Sequence, residues 1–174
     1  MGKVETLALA PGIDVPNSAL PVVLYRAALP PGPDLATRLE HRFGQNGWRG
    51  LWRNGIFAYH HFHDDAHEVL GIAAGRALVQ LGGEAGPAVT IEAGDVVVLP
   101  AGTGHKRLSS SADLLVIGGY PAGQERPAIK SGGEGDADLA ARCAAVPLPA
   151  SDPVEGADGA LLRAWRAVEA ARGE

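Results

Sequence analysis

A mainly β chain, folded as a sandwich or barrel, is the class that this 174-residue sequence predicts. Three observations carry the prediction. Glycine contributes 24 residues and proline 13, and both cost free energy inside helices. Between Ile56 and Tyr120 short apolar runs alternate with turn residues, the pattern of consecutive short strands. No βαβ alternation and no internal repeat of solenoid or propeller length accompanies them, which leaves sheets packed face to face or closed into a barrel.

Composition then removes whole classes of function. The chain is 46% hydrophobic, enough for one ordinary domain with its own core. Its net charge of −5 supplies no basic field for nucleic acid or anionic lipid. The single cysteine, Cys143, excludes an intrachain disulfide framework and a cysteine-rich metal site. Met1 to Ala10 carries Lys3 and Glu5 and lacks the apolar stretch of a secretory signal. No apolar run approaches the roughly 18 residues that span a bilayer. The expectation is a cytoplasmic protein whose partners include neither nucleic acid nor membrane.

The elements follow in order. Residues 1–20 read as an irregular, proline-punctuated arm, 21–130 as the barrel, and 131–174 as an acidic surface segment with a terminal helix. Pro21 to Arg26 (PVVLYR) is rich in β-branched residues and predicts a first strand. After Pro30, Pro31 and Pro33, the apolar positions Leu35, Leu39 and Phe43 recur at helical spacing and predict one short helix, ending at Gly44 or Gly47. Trp48 to Trp52 suits a strand and a lid-like loop equally. The following strands are predicted at Ile56–Phe62, Glu68–Ala74, Arg76–Leu81, Ala88–Ile91, Val96–Leu99 and Asp113–Ile117, with Gly82-Gly83 closing a hairpin. From Ser131 to Gly159 six acids (Glu134, Asp136, Asp138, Asp152, Glu155, Asp158) face the single base Arg142. That segment is expected to wrap the surface as an extended or partly ordered stretch. Leu161, Trp165 and Val168 then predict a terminal helix docked through Trp165.

Four of the six histidines, His60, His61, His63 and His67, fall within eight residues. Strand alternation places His61 and His63 on one face and His60 on the other. Two imidazoles so spaced can chelate one divalent ion. Glu68 follows a turn and returns a carboxylate toward them, and His105, after a glycine-rich turn, is a candidate fourth ligand. Imidazole and carboxylate together suit iron, manganese, nickel or zinc.

These residues carry a resemblance. Gly55-x5-His61-x-His63-x4-Glu68-x6-Gly75 resembles the first cupin motif at every fixed position. Gly94-x5-Pro100-x-Gly102-x2-His105 resembles the second, except that its usual final asparagine is Ser109. The resemblance covers residues 55–109, and the chain looks like a small single-domain bacterial cupin of unassigned activity. It implies a double-stranded jelly-roll barrel with a central ligand cavity, here with a short N-terminal helix and a C-terminal helix. It also implies that His61, His63, Glu68 and His105 hold a divalent metal ion inside the barrel. The departure at Ser109 touches the turn and the pocket shape rather than a ligand. Tyr59, sharing the parity of His61, and Arg107 and Ser109, sharing that of His105, are pocket candidates. His60 and His67 are out of phase with the ligands and are expected at the surface or behind the site. His41, on the predicted helix, is expected in solvent.

Other apparent motifs fail on their mechanics. His67-Glu68-Val69-Leu70-Gly71 lacks the second histidine of a zincin helix, and Gly102 to Arg107 lacks the Gly-Lys-Ser/Thr of a phosphate loop. Cys143 has no neighbouring histidine to activate it. Trp48, Arg49, Trp52 and Arg53 hint at base stacking, but four residues make no groove.

The functional reading is a metal-dependent enzyme on a small molecule, of dioxygenase or isomerase type. The alternative is a non-catalytic cupin that binds or senses a small ligand. Neither motif offers an obvious phosphate clamp beyond Arg107 and Arg76, which disfavours a sugar phosphate. No general base stands out; Tyr59 and a Glu68 released from the ion are the side chains that fit the role. A homodimer exchanging the residues 1–20 arm is the expected assembly.

Overall fold

The computed structural model describes residues 2–133 and 135–174; Met1 and Glu134, one of the six acids named above, lie outside the described residues. Among the described residues the chain forms nine strands and three helices. In order they are β1 (Val4–Leu7), β2 (Val22–Tyr25), α1 (Leu35–Gln45), β3 (Trp48–Asn54), β4 (Glu68–Ala74), β5 (Arg76–Leu81), β6 (Ala88–Glu92), β7 (Val96–Leu99), β8 (His105–Ser110), β9 (Leu115–Pro121), α2 (Leu139–Ala144) and α3 (Ala160–Arg172). A six-stranded sheet runs β1-β2-β7-β4-β9-β3 and faces a three-stranded sheet β6-β5-β8. All pairings are antiparallel. The predicted mainly β, two-sheet class with few helices is what the structure contains.

The apolar runs of β2 (VVLY) and β7 (VVVL) do not alternate with polar residues because both faces of the larger sheet are covered. Val22, Leu24, Val97 and Leu99 point between the sheets and meet Leu70, Val79, Leu81 and Ile91. Val23, Tyr25, Val96 and Val98 point outward, where α1 and α3 cover them with Leu39, Phe43, Leu161 and Trp165. Gly71 sets the depth of this contact: a Cβ there would stand 2.8 Å from the Phe43 ring.

Several expectations are corrected. Residues 56–62 form no strand; they run irregularly, tied by isolated bridges from His61 to His105 and from Phe62 to Lys130. The polar stretch His105–Ser110, which shows no apolar run, is β8. The predicted Asp113–Ile117 strand starts later and extends to Pro121. Helix α1 passes through Gly44 to Gln45 and ends where the Asn46 and Gly47 amides bond back to Arg42 and Gly44. Part of the N-terminal arm, Val4–Leu7, pairs with β2 as an edge strand. Trp48 to Asn54 resolves as strand β3.

The acidic segment is partly ordered and reaches into the core. It contains α2, whose Leu139 and Cys143 join Val15, Phe62 and Ala101 in a third apolar cluster. It also buries Asp152 completely. The Asp152 carboxylate accepts hydrogen bonds from the Tyr25 hydroxyl and from the backbone N–H groups of Val154, Glu155 and Leu161. Trp165 is fully buried, as predicted, and donates its indole N–H to the Pro21 carbonyl at 2.8 Å. No helix among the described residues is long and apolar enough to cross a membrane.

Candidate functional site

The open end of the sandwich, between the edge strands β3 and β8, contains a cavity of about 640 Å³. His61, His63, Glu68 and His105 all line it, together with Arg107, Tyr120 and an apolar wall that includes Trp52, Ile56, Leu70 and Leu114. Local structure explains how residues from three segments meet. Glu68 begins β4, His105 begins β8, and the His61–His105 bridge pins the irregular segment carrying both other histidines beside β8.

The three imidazoles are oriented alike. Nδ1 of His61 donates to the Tyr59 carbonyl at 3.1 Å, Nδ1 of His63 to Ala128 at 2.8 Å, and Nδ1 of His105 to Thr103 at 3.0 Å. A carbonyl oxygen only accepts, so each Nδ1 carries the proton and each neutral Nε2 keeps a lone pair. Backbone carbonyls that fix a tautomer in this way are the usual support behind metal-binding histidines.

The central contact is between Nε2 of His63 and Oε2 of Glu68, both side chains being buried. Oε2 is nevertheless a buried oxygen with no hydrogen-bond partner. With Nδ1 committed to Ala128, the contact sets a lone pair against a carboxylate oxygen, which is favourable only with a cation between them. A proton is one such cation. Burial alone pushes the His63 pKa down, but the Glu68 carboxylate against its Nε2 outweighs it and the net direction is upward. Burial holds His61 below its ordinary value and holds His105, wholly enclosed beside His61, well below it. The His61 and His105 rings tilt against each other with centroids 4.0 Å apart.

The four residues therefore stand as two pairs, His63 with Glu68 and His61 with His105. Among the described residues, no group of three His, Cys, Asp or Glu side chains is arranged so that it could hold a metal ion as it stands. The donor chemistry fits a divalent ion; the donor positions are not those of a finished coordination sphere.

Of the pocket candidates, Arg107 lines the cavity. Tyr59 is 49% exposed and stacks on Phe57 at the rim, with ring centroids 5.1 Å apart. Ser109 is exposed and does not line the cavity; Ser110 and Ser111 do. The reason is a bulge in β8: Val79 pairs with Arg107 while Leu78 pairs with Ser109, so alternation breaks at Leu108. His60 turns away toward Gln80 and Glu84, Arg76 is exposed outside the cavity, and His41 is exposed as expected. His67 is a core residue, 1% exposed, accepting the Ala101 N–H at Nδ1 and donating from Nε2 to the Pro147 carbonyl.

Sequence reasoning missed Tyr120 and the cavity role of Trp52. The Trp52 indole N–H donates to the Tyr120 hydroxyl at 2.9 Å, and the Tyr120 ring meets His63 edge-on. Burial, with the Glu68 charge beside it, pushes Tyr120 up to about 12, so it stays protonated at neutral pH. A parity signal was present: Val116 belongs to the inter-sheet core and Tyr120 lies two alternations further along. Gly118 between them lets Trp52 cross the strand, since a Cβ there would stand 2.0 Å from the indole.

No protein-family model matches the chain. It is 40% identical over 153 residues to YjlB of Bacillus subtilis (strain 168), described as an uncharacterized protein, with 87% of this chain and 90% of the relative covered. Among solved structures it resembles acireductone dioxygenase from Bacillus anthracis, which carries a cadmium ion in its active center. That match has a TM-score of 0.42 and 17% identity, over 62% of this chain and 82% of the other. A DUF861 family protein from Thermotoga maritima matches with a TM-score of 0.35 and 22% identity, over 57% of this chain and 98% of the other. Oxalate decarboxylase from Bacillus subtilis, with Mn(II) centers, matches with a TM-score of 0.32 and 19% identity, over 66% of this chain and 24% of the other.

Proposed function

The chain belongs to the family of Bacillus subtilis YjlB, and on that premise we propose that it is a cupin that binds one divalent metal ion through His61, His63, Glu68 and His105 and acts as a metal-dependent enzyme on a small molecule held in the cavity. One observation carries the reading. A buried carboxylate oxygen without a hydrogen-bond partner lies against an imidazole nitrogen whose lone pair faces it. A cation resolves that conflict, and His61 and His105 line the same cavity with their Nε2 lone pairs free.

A bound divalent ion of the iron, manganese, nickel or zinc type supplies Lewis acidity toward a carbonyl or hydroxyl oxygen. The protein's own groups supply the rest. The Nδ1 hydrogen bonds to backbone hold the three rings against rotation, so little order is lost when a ligand enters. Burial keeps His61 and His105 neutral and ready to donate lone pairs near neutral pH. Leu70, Ile56 and Leu114 give the cavity an apolar wall. Tyr120, its acceptor side occupied by Trp52, holds its proton toward the cavity and can hydrogen-bond a ligand oxygen.

Elemental analysis of protein purified without a nickel column tests the assignment, with about one ion per chain expected. Absence of metal, together with a Tm unchanged by chelator and by His61→Ala, would overturn it. With metal present, aerobic and anaerobic turnover of diketones, flavonols and sugars separates oxygenase from isomerase chemistry. Ligand-induced stabilisation without turnover would favour the binding cupin instead.

A further inference from the structure

Beside the imidazoles and Glu68, the cavity is walled by apolar side chains, the neutral Asn54, Ser110 and Ser111, and one guanidinium. Ile56, Phe57, Leu114 and Ile129 face the cavity, and Arg107 is the single Lys or Arg among its lining residues. Phe57 is 43% and Ile129 54% exposed, so the mouth itself is greasy. Arg107 is held from behind: Nε donates to the Ile56 carbonyl at 3.0 Å and Nη1 to the Ser110 hydroxyl at 3.3 Å. Its hydrogen bonds thus go to neutral oxygens and not to a carboxylate. A guanidinium has five N–H groups in a fixed fork. With Nε and one Nη1 hydrogen used, the end formed by Nη1 and Nη2 remains, which is the edge that matches a carboxylate bidentately. Deeper in, the Tyr120 hydroxyl accepts from Trp52 and has its own proton to give.

We propose that the site selects a small organic monocarboxylic acid with an apolar, ring-sized body. The carboxylate pairs with the free edge of Arg107, the body lies against Ile56, Phe57, Leu114 and Ile129, and a polar atom of the ligand faces Tyr120 and the imidazoles. This selectivity rests on the reading of the cavity as the ligand site of a metal-binding cupin. A phosphate ester fits less well, because Arg107 is the single Lys or Arg lining the cavity and the wall around it is apolar or neutral.

The test is calorimetric titration of the full chain, in chelated and metal-loaded form, with metal content measured on the same samples. The probes are phenylacetate and 3-phenylpropanoate, their primary amides, acetate, and inorganic phosphate. Both aromatic acids are expected to bind at least about tenfold more tightly than their amides, acetate and phosphate. Arg107→Gln is expected to erase the preference for acid over amide, and Arg107→Lys to keep part of it. Equal binding of acid and amide by the native chain would overturn the proposal, as would binding of no probe. So would phosphate or acetate binding as tightly as the aromatic acids, or an acid preference surviving in Arg107→Gln, since the carboxylate would then sit elsewhere. The native acid–amide comparison stands even if the variants fold poorly. A metal-free protein that still prefers the acids through Arg107 would overturn the metal assignment and leave this one standing; a metal-loaded protein with no acid preference would do the reverse.

Discussion

The Tyr25 hydroxyl donates a hydrogen bond to the Asp152 carboxylate across 127 residues of chain, joining the second strand of the larger sheet to the acidic C-terminal segment. Asp152 is fully buried and also receives three backbone N–H groups. Asp152→Ala leaves the Val154 and Glu155 amides and the Tyr25 hydroxyl proton without an acceptor in the core, while the Leu161 amide keeps the Tyr25 oxygen. The expected loss is about 3 kcal/mol, from the cost of stranding buried polar groups. Tyr25→Phe removes one donor and is expected to cost about 1 kcal/mol. Urea denaturation of the two variants gives both numbers, and an Asp152→Ala midpoint equal to the native one would show that the tail is not anchored here.

Gly118 is expected to be intolerant of even one methyl group. Alanine there drives a Cβ to within 2.0 Å of the Trp52 indole, so the indole or the strand must shift. Overpacking of this kind costs about 1–3 kcal/mol. Because Trp52 walls the cavity and donates to Tyr120, ligand affinity should fall together with stability. Tryptophan fluorescence and thermal melting of Gly118→Ala report the two effects, and an unchanged emission spectrum would contradict the packing.

His67 braces three elements: the Ala101 amide, the Pro147 carbonyl and the Trp165 ring, whose centroid lies 4.7 Å away. His67→Leu keeps the bulk but strands the Ala101 N–H, while the Pro147 carbonyl keeps the Gln124 side chain, with an expected loss of about 1–3 kcal/mol. Hydrogen exchange should accelerate in α3, which packs through Trp165. Destabilisation without faster exchange there would place the brace elsewhere.

Cys143 is predicted to be inert. Burial raises its thiol to about 11, and the Asp64 carboxylate adds to the shift. A thiol with a raised pKa is protonated below that value and becomes the reactive thiolate only above it. At pH 8 the native protein should react with a disulfide reagent far more slowly than the unfolded chain. Equal rates would mean that α2 undocks readily.

On the proposed metal assignment, chelation is expected to lower Tm in the native chain but not in Glu68→Gln, which lacks the carboxylate proposed as a ligand. Thermal melts with and without chelator make the comparison. A Glu68→Gln protein that responds to chelator as the native one does would remove Glu68 from the ligand set.

Much of the barrel was legible because its signals are local. β4, β5 and β7 start and stop where the apolar runs do, and α1 and α3 follow their helical spacing. The failures have equally definite causes. β8 is polar because most of it borders the open end, so no apolar run marks it. The bulge at Leu108 undoes the parity that placed Ser109 beside Arg107. Tyr120 lies beyond the point where the apolar run of β9 ended by composition, so its contact with Trp52 was invisible.

By itself, the amino-acid sequence determined the two-sheet β class, the helical faces and the spacing of His61, His63, Glu68 and His105. These depend on short-range periodicity and on residue types at fixed intervals. Tertiary structure alone decided that the four residues line one cavity as two pairs, that Arg107 and Tyr120 share it, and that the acidic segment ends buried on Tyr25. Each of those outcomes is set by contacts between segments far apart in the chain, where packing and hydrogen-bond satisfaction, rather than local preference, choose the partner.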